Sequence, residues 1–219
     1  MLTVKLEGNK VESRDIPKIR GYLANKFPQY LELHNHLGND KFKYGYPVIQ
    51  YKSIGGVPNI IAINDASKIL IDIFFDVKEI DMKDKVMSIL EKGYVLKTKE
   101  LGVEDGLVEY EFLTPWMALN QENYDKYARS PEDERAGILK KVLVGNVLSM
   151  AKGLDCWVDK PIEAMIKLRP VEVKYKDRKM VGFKGRFMTN FAIPDYLGLG
   201  KSVSRGFGTV VRVKDGGFV

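Results

Sequence analysis

Apolar residues in the first half of the chain recur with two periods, one typical of strands and one typical of helices. Asp15 and Asp65 precede the two helical stretches and are predicted to cap them, with Pro17 in the first turn of the first helix. The pattern predicts, in order, a strand at Leu2–Leu6, a helix burying Ile16, Ile19, Leu23 and Phe27, strands at Tyr46–Ile54 and Val57–Ile63 around a Gly-Gly turn, a helix carrying Ile69, Leu70, Ile73 and Phe74, and strand-like segments at Val86–Leu90 and Tyr94–Thr98. This β-α-β-β-α-β order is that of a ferredoxin-like unit.

A weaker copy of the same order begins near residue 106. Ser130 and Pro131 mark a helix start, and a change of phase at Arg169-Pro170 predicts a bulge in a strand. The elements predicted are a strand at Val108–Leu113, a long helix burying Leu139, Val142, Leu143, Val147 and Met150 and ending at Gly153, extended segments at Ala164–Leu168 and Val171–Tyr175, a strand at Met180–Phe191 and a last strand at Thr209–Val213. The second helix of the copy is shortened or missing. We therefore predict an α+β fold of two tandem ferredoxin-like (RRM-like) domains, 1–105 and 106–219.

A glycine-rich loop precedes the last strand. Its glycines are Gly198, Gly200, Gly206 and Gly208, and Lys201, Ser202 and Arg205 lie between them. Glycine permits positive φ and close approach of another backbone, and backbone amides in such turns form concave anion sites. Neither the Walker A spacing nor the dinucleotide-binding spacing is present. The loop is either a phosphate-binding element or a plain hairpin turn.

The distribution of charge favours the first of these readings. The formal net charge is +6. Residues 160–219 hold 13 Lys and Arg against 5 Asp and Glu, so all the excess positive charge lies near the glycine loop. Such a field attracts polyanions, most often nucleic acid. Lys184 and Arg186 alternate with Phe183 and Phe187 in the preceding strand and point away from the predicted core.

No segment predicts a membrane anchor or a disulfide. No apolar run reaches the roughly 18 residues of a membrane helix, and the N-terminus is typical of a strand, not of a signal peptide. The single cysteine, Cys156, permits no internal disulfide and no cysteine zinc site. We expect a soluble cytoplasmic protein with no cofactor.

The only two histidines, His34 and His36, lie in a polar loop after the first helix. Histidine is the side chain best suited to transfer protons near neutral pH. Cleavage of RNA by its own 2′-OH needs a base for that hydroxyl, an acid for the leaving 5′-oxygen and positive charge for the phosphorane. The two histidines could supply these groups without a metal, together with the Lys and Tyr residues of the same region: Lys26, Tyr30, Lys41, Lys43, Tyr44 and Tyr46. The alternative is a pair of surface histidines bonded only to backbone.

A zinc site at the two histidines is the less favoured alternative. Zinc needs three or four ligands of defined geometry, and Asp40 is the only further candidate nearby. A magnesium-dependent DNA nuclease is disfavoured because the sequence has no clustered acidic motif. We therefore predict no metal.

Taken together, these features resemble the CRISPR-associated repeat-RNA-processing endoribonucleases, in the branch typical of type I-B systems. The matching stretches span nearly the whole chain in order: 26–36, 46–52, 112–120, 144–150 and 182–208. The resemblance implies metal-independent cleavage within each repeat of a precursor transcript, leaving a 2′,3′-cyclic phosphate and a 5′-hydroxyl. It places the catalytic histidine in the loop of His34 and His36. We favour His36 as general base and His34 as acid or positioning group, assisted by Lys26 and Tyr44, with Tyr30 and Lys41 as substitutes.

The same resemblance names the partners. The RNA-binding residues would be Lys184, Arg186, Lys201, Ser202 and Arg205 with the four loop glycines, and the ligand CRISPR repeat RNA. A CRISPR interference complex and a homodimer are further partners that the family suggests. A non-catalytic RNA-binding subunit of a CRISPR ribonucleoprotein is the alternative function, because such subunits also use ferredoxin-like domains and glycine loops.

Overall fold

A computed structural model describes residues 1–33, 45–175 and 178–214, together with the backbone of two short strands at 36–37 and 41–42. The chain forms two compact units. One contains Met1–Lys99 together with Ser204–Gly206, and the other contains Glu100–Val203 and the residues from Phe207 onward. No helix in these described ranges is long and apolar enough to cross a membrane.

The N-terminal unit is built on a four-stranded antiparallel sheet. Its elements are β1 (Leu2–Glu7), α1 (Ile16–Lys26), β2 (His36–Leu37), β3 (Lys41–Phe42), β4 (Ile49–Ile54), β5 (Val57–Ala62), α2 (Ala66–Phe74), β6 (Glu79–Asp81), β7 (Val86–Ser88) and β8 (Glu91–Leu96). The main sheet has the order β4-β5-β1-β8. Without the hairpins β2–β3 and β6–β7, the chain runs β-α-β-β-α-β, with the third strand beside the first, as the ferredoxin-like fold requires.

The core of this unit lies where the predicted helix face meets the sheet. The predicted helix residues Ile16, Ile19, Leu23 and Phe27 are buried with the apolar residues of β1 and β5. Neither predicted aspartate cap accepts a hydrogen bond from a backbone amide of its helix. Asp15 instead pairs with Lys18 at 3.2 Å and with Lys85 at 3.7 Å, and Asp65 pairs with Lys68 at 3.0 Å. Ion pairs have replaced the caps in both cases.

The C-terminal unit repeats the same sheet. Its elements are β9 (Gly102–Phe112), α3 (Gln121–Arg129), α4 (Glu132–Gly153), β10 (Ala164–Tyr175), β11 (Arg178–Ala192) and β12 (Val210–Arg212). The antiparallel order β10-β11-β9-β12 matches that of the first sheet, strand for strand. A single 3₁₀ turn at Val203–Arg205 occupies the place of the second helix. The predicted fold class and the missing helix are both confirmed.

Two local predictions for this unit are wrong, and one helix was not predicted. β10 runs unbroken through Arg169 and Pro170 in continuous register with β11, so there is no bulge at that point. Pro170 stands opposite Phe183, whose main chain bonds Trp116 instead, so the missing amide of proline costs no ladder bond. Ser130 ends α3 instead of capping α4, whose N-cap position is Pro131. The helix α3 was not predicted, because none of its residues is fully buried and its only apolar residues are Tyr124, Tyr127 and Ala128.

Candidate active site and nucleic-acid interface

The two histidines lie in the part of the N-terminal unit that follows α1. His36 begins β2, and its backbone pairs with Phe42 of β3. The chain enters this hairpin from a fixed point, because the carbonyl of the buried residue Leu33 accepts a hydrogen bond from the Tyr51 hydroxyl at 3.2 Å. His34, Lys43 and Tyr44, and the side chains of His36 and Lys41, lie outside the described residues.

Lys26, the helper predicted next to the histidines, lies at the C-terminal end of α1. Its Nζ is 3.2 Å from the carbonyl oxygen of Asp76 and 3.5 Å from the Tyr22 hydroxyl. The same nitrogen is 5.6 Å from the centre of the Tyr22 ring and 5.7 Å from that of Phe27. These contacts hold the ammonium group against aromatic faces at the end of the helix. Tyr30, the suggested substitute, is half-buried against the core of this unit.

The base of the glycine loop is a short ladder within the C-terminal unit. The amide of Leu199 donates to the carbonyl of Gly208, that of Val210 to Leu197, and Gly198 forms a bridge with Thr209. Other loop amides are also bonded within the protein: Lys201 to Met117, Gly208 to Pro115 and Thr209 to the Thr114 hydroxyl. These amides are committed to protein acceptors, so phosphate contacts at the base of the loop would fall to side chains.

Two of the glycines are required by space as well as by conformation. Gly200 has φ +85°, and a Cβ there would lie 2.6 Å from Nε1 of Trp116. That indole nitrogen donates to Asn146 of α4 at 3.0 Å, so it is held in place. Gly208 has φ +62°, and its Cβ would lie 2.0 Å from the carbonyl oxygen of Leu199. The glycine spacing therefore serves close packing of the loop on its own unit.

The polar side chains of the loop follow Gly200. Lys201 is exposed and Ser202 and Arg205 are half-buried. Ser202 has φ +58°, a left-handed conformation that is uncommon for a residue with a Cβ. Such conformations cluster at ligand sites, where the surrounding structure holds them. Gly206, which belongs to the N-terminal unit, lies against β4. A Cβ at this position would lie 3.1 Å from the carbonyl oxygen of Tyr51.

Lys184 and Arg186 lie on one face of β11, as the alternation predicted. The unbroken register places Lys184 opposite Arg169 and Arg186 opposite Lys167 on β10. Directly opposed like charges destabilise a sheet, and a bound polyanion would relieve that repulsion. Sequence reasoning missed Lys167 and Arg169 because the predicted bulge interrupted the alternation at that point. An unbroken alternation from residue 164 to 175 would have found them.

These cations differ in how much of their charge is already balanced. Nη1 of Arg186 is 3.4 Å from Glu109, and its Nε is 3.8 Å from Glu111. Within the described ranges, Lys184 and Arg169 have no carboxylate at ion-pairing distance. Lys184 and Arg169 are therefore the stronger candidates for phosphate contacts, and Arg186 is the weaker one.

Comparison with known proteins places the chain in a family. Residues 1–100 match the model of the Cas6b N-terminal domain, and residues 102–213 match that of the Cas6b C-terminal domain. The chain belongs to the Cas6b family. The resemblance predicted from the sequence is therefore confirmed at the level of the family.

Solved Cas6b structures agree with the architecture described above. One crystal structure of Cas6b has a TM-score of 0.92 and 40% identity, and covers 97% of this chain and 98% of its own. A second, of the CRISPR RNA processing endoribonuclease Cas6b, has a TM-score of 0.80 and 37% identity over 97% of both chains. The uncharacterized protein MJ0978 of Methanocaldococcus jannaschii is 41% identical over 145 residues, 66% of this chain and 99% of its own length.

The Cas6b fold provides two sets of candidate residues, one in each unit. Within the described residues, no group of three or more His, Cys, Asp or Glu could hold a metal ion. The hairpin β2–β3 of the N-terminal unit carries His36, and the C-terminal unit carries the cationic strand face and the glycine loop outside Ser204–Gly206. The first set suits proton transfer, and the second suits binding of a phosphate backbone.

Proposed function

We propose that this Cas6b protein is an endoribonuclease that cuts CRISPR precursor RNA within its repeats. The observation that carries the proposal is the match of both Cas6b domain models, in order, over almost the whole chain. The chain is also 37% identical over its length to a CRISPR RNA processing endoribonuclease. The opposed cations of β10 and β11 support RNA as the ligand, because they lie on an exposed strand face.

The cleavage step needs no water and no metal. The 2′-oxygen attacks the adjacent phosphorus while its proton passes to His36, acting as general base. The bond from phosphorus to the 5′-oxygen breaks, and His34 donates a proton to that oxygen. The products are a 2′,3′-cyclic phosphate and a 5′-hydroxyl. Lys26 and Tyr44 assist by stabilising the charge that develops on the phosphorane oxygens.

Binding of the substrate uses the C-terminal unit. Lys184 and Arg169 contact the phosphate backbone from the strand face, with Lys201, Ser202 and Arg205 of the glycine loop, and Arg186 contributes less. Gly198, Gly200, Gly206 and Gly208 keep the loop in the conformation that presents these side chains. Membership of a CRISPR interference complex and homodimer formation remain predictions from the family.

Cleavage of the repeat RNA in EDTA tests this proposal. The parent protein is expected to cut at one position and to leave a cyclic phosphate, detected by mass spectrometry of the 5′ fragment. Loss of an acid or base group lowers the rate roughly 10²–10⁴-fold. We therefore expect His36→Ala to be nearly inactive and His34→Ala to cleave much more slowly than the parent. Both variants should bind the RNA as the parent does.

Three results would contradict parts of the proposal. Tight binding without cutting by the parent would leave the non-catalytic RNA-binding subunit as the function. Cutting that requires added magnesium would refute the metal-free step. Cutting that survives both histidine substitutions would transfer the proton chemistry to the Lys and Tyr residues of the same region.

A further inference from the structure

A cleft of about 710 Å³ opens within the C-terminal unit, at one edge of β11. Its volume falls in the range of roughly 300–1,000 Å³ that small-molecule sites occupy. Its walls come from the start of α3, from the strands β10 and β11, and from the glycine loop. The residues that matter here are Tyr124 of α3, Glu172 of β10, Lys179 and Val181 of β11, and Lys201 of the loop.

The free edge of β11 turns main-chain groups into this cleft. Phe183 exchanges both of its main-chain hydrogen bonds with Trp116, at 2.8 and 3.0 Å, and so turns them away from β10. Because bonding directions alternate along an antiparallel strand, the N–H and C=O of Val181 point the same way. In the described part of the chain no group bonds them there. A hydrogen-bond donor and an acceptor are therefore presented side by side.

Four side chains complete the cleft. Tyr124 is 41% exposed and lines the cleft, so its ring is accessible to a ligand. Lys201 is exposed, with no ion pair within the described residues. The other ammonium group, Lys179, lies 3.1 Å from the carboxylate of Glu172, so the cleft carries a net positive charge.

We propose that this cleft binds one unpaired nucleotide of the RNA. Its base stacks on Tyr124 and hydrogen-bonds the main chain of Val181, and a phosphate lies at Lys201. Nucleobases carry adjacent donors and acceptors on their edges, and proteins commonly read splayed-out bases by stacking and by hydrogen bonds to those edges. The inference rests on the proposed function, because it assigns a subsite to the same RNA.

A polypeptide strand added to the β11 edge would be another use of free main-chain groups. The surroundings favour the nucleotide, because the unpaired part of the edge is short. It extends only from the Trp116 bridge to the end of β11 at Arg178. An aromatic face and an unbalanced lysine flank it, and these are the two groups that single-stranded nucleic acid requires.

The test compares Tyr124→Ala and Tyr124→Phe with the parent in binding to the repeat RNA. Loss of one stacked base costs roughly 5- to 150-fold in affinity. Tyr124→Ala is expected to weaken binding by about tenfold on this scale. Tyr124→Phe keeps the ring and serves as the matched control, so it should bind as the parent does. Since the side chain is partly exposed, both variants are expected to fold, which circular dichroism verifies.

A set of repeat RNAs, each with one abasic position, identifies the nucleotide. At the position that occupies the cleft, the abasic RNA and Tyr124→Ala should together weaken binding no more than either does alone, because each removes the same contact. The proposal is overturned if Tyr124→Ala binds as the parent does, which is also the result expected of a polypeptide strand site. The proposal is also overturned if the loss of binding free energy caused by Tyr124→Ala adds to the loss caused by every abasic position.

Cleavage by the parent separates this inference from the proposed function. A parent that neither binds nor cuts repeat RNA refutes the proposed function and the nucleotide site with it. A parent that binds and cuts, with Tyr124→Ala unchanged in affinity, refutes the nucleotide site alone.

Discussion

Lys52 is a lysine whose side chain is entirely withdrawn from water in the N-terminal unit. It lies on β4 opposite Asn59 of β5, and Gly206 approaches the same strand. Burial disfavours the ammonium form and lowers the pKa of Lys52 from 10.5 to about 7. A charged group kept in such a place costs stability, and the cost depends on pH.

The sign of this dependence follows from proton binding. Between pH 7 and 10.5 the unfolded chain keeps a proton on Lys52 that the folded chain releases, so the free energy of unfolding rises with pH over this window. The full change is of order 5 kcal/mol, at 1.36 kcal/mol per pKa unit. Urea unfolding at pH 6.5 and pH 9 should show much of this rise in the parent.

Lys52→Met removes the titrating group while keeping the apolar stem. Its unfolding free energy should change little between the two pH values. Lys5→Met, at an exposed position of the same sheet, is the control and should keep the parental rise. A parent curve that is flat above pH 7 would show that Lys52 retains its charge in the folded state.

At the scale of the element, the sheets were predictable and several connections were not. Strands such as β11 and helices such as α1 bury one face, so their apolar residues recur at the period of the element and can be recognised from the local sequence. The helix α3 has no fully buried residue and too few apolar residues to give such a signal. That Lys184 lies opposite Arg169 depends on the register between β10 and β11. The bulge predicted at Pro170 would have changed this register. The hairpin β2–β3 was predicted only as a polar loop, because each of its strands has only two residues.

Gly200 and Gly137 have opposite surroundings, and alanine substitution should separate them. Gly200→Ala forces a Cβ into Trp116 at a positive φ, so we expect a loss of about 2 kcal/mol or more in the free energy of unfolding. Gly137 lies in α4 with open space around it, so Gly137→Ala should gain about 0.5–1 kcal/mol. Urea unfolding measures both, and a tolerated Gly200→Ala would mean that the loop repacks around Trp116.

At the scale of the whole molecule, positive charge is concentrated where the structure presents strand faces and a loop. The excess of cations lies in residues 160–219, which include β10, β11 and the glycine loop. A phosphate backbone that is neutralised by Z cations of a protein releases counterions, so affinity falls with salt in proportion to Z. The slope of log K against log salt therefore gives the number of phosphate contacts. The contribution of one residue is the change in this slope when that residue is replaced.

Lys184, Arg169 and Arg186 of the β10–β11 face should differ in this measurement. For single strands each lost contact reduces the slope of log K against log salt by about 0.7. Lys184→Ala and Arg169→Ala should each produce that reduction, because within the described residues no carboxylate balances them. Arg186→Ala should produce less, since Glu109 and Glu111 already offset its charge. Lys140→Ala, at an exposed position of α4, is the control for loss of one charge elsewhere in the same unit. Equal slopes for all four variants would mean that the overall field, and not this strand face, holds the RNA. A reduction confined to Lys184 and Arg169 would place the phosphate backbone along the two strands whose register the structure defines.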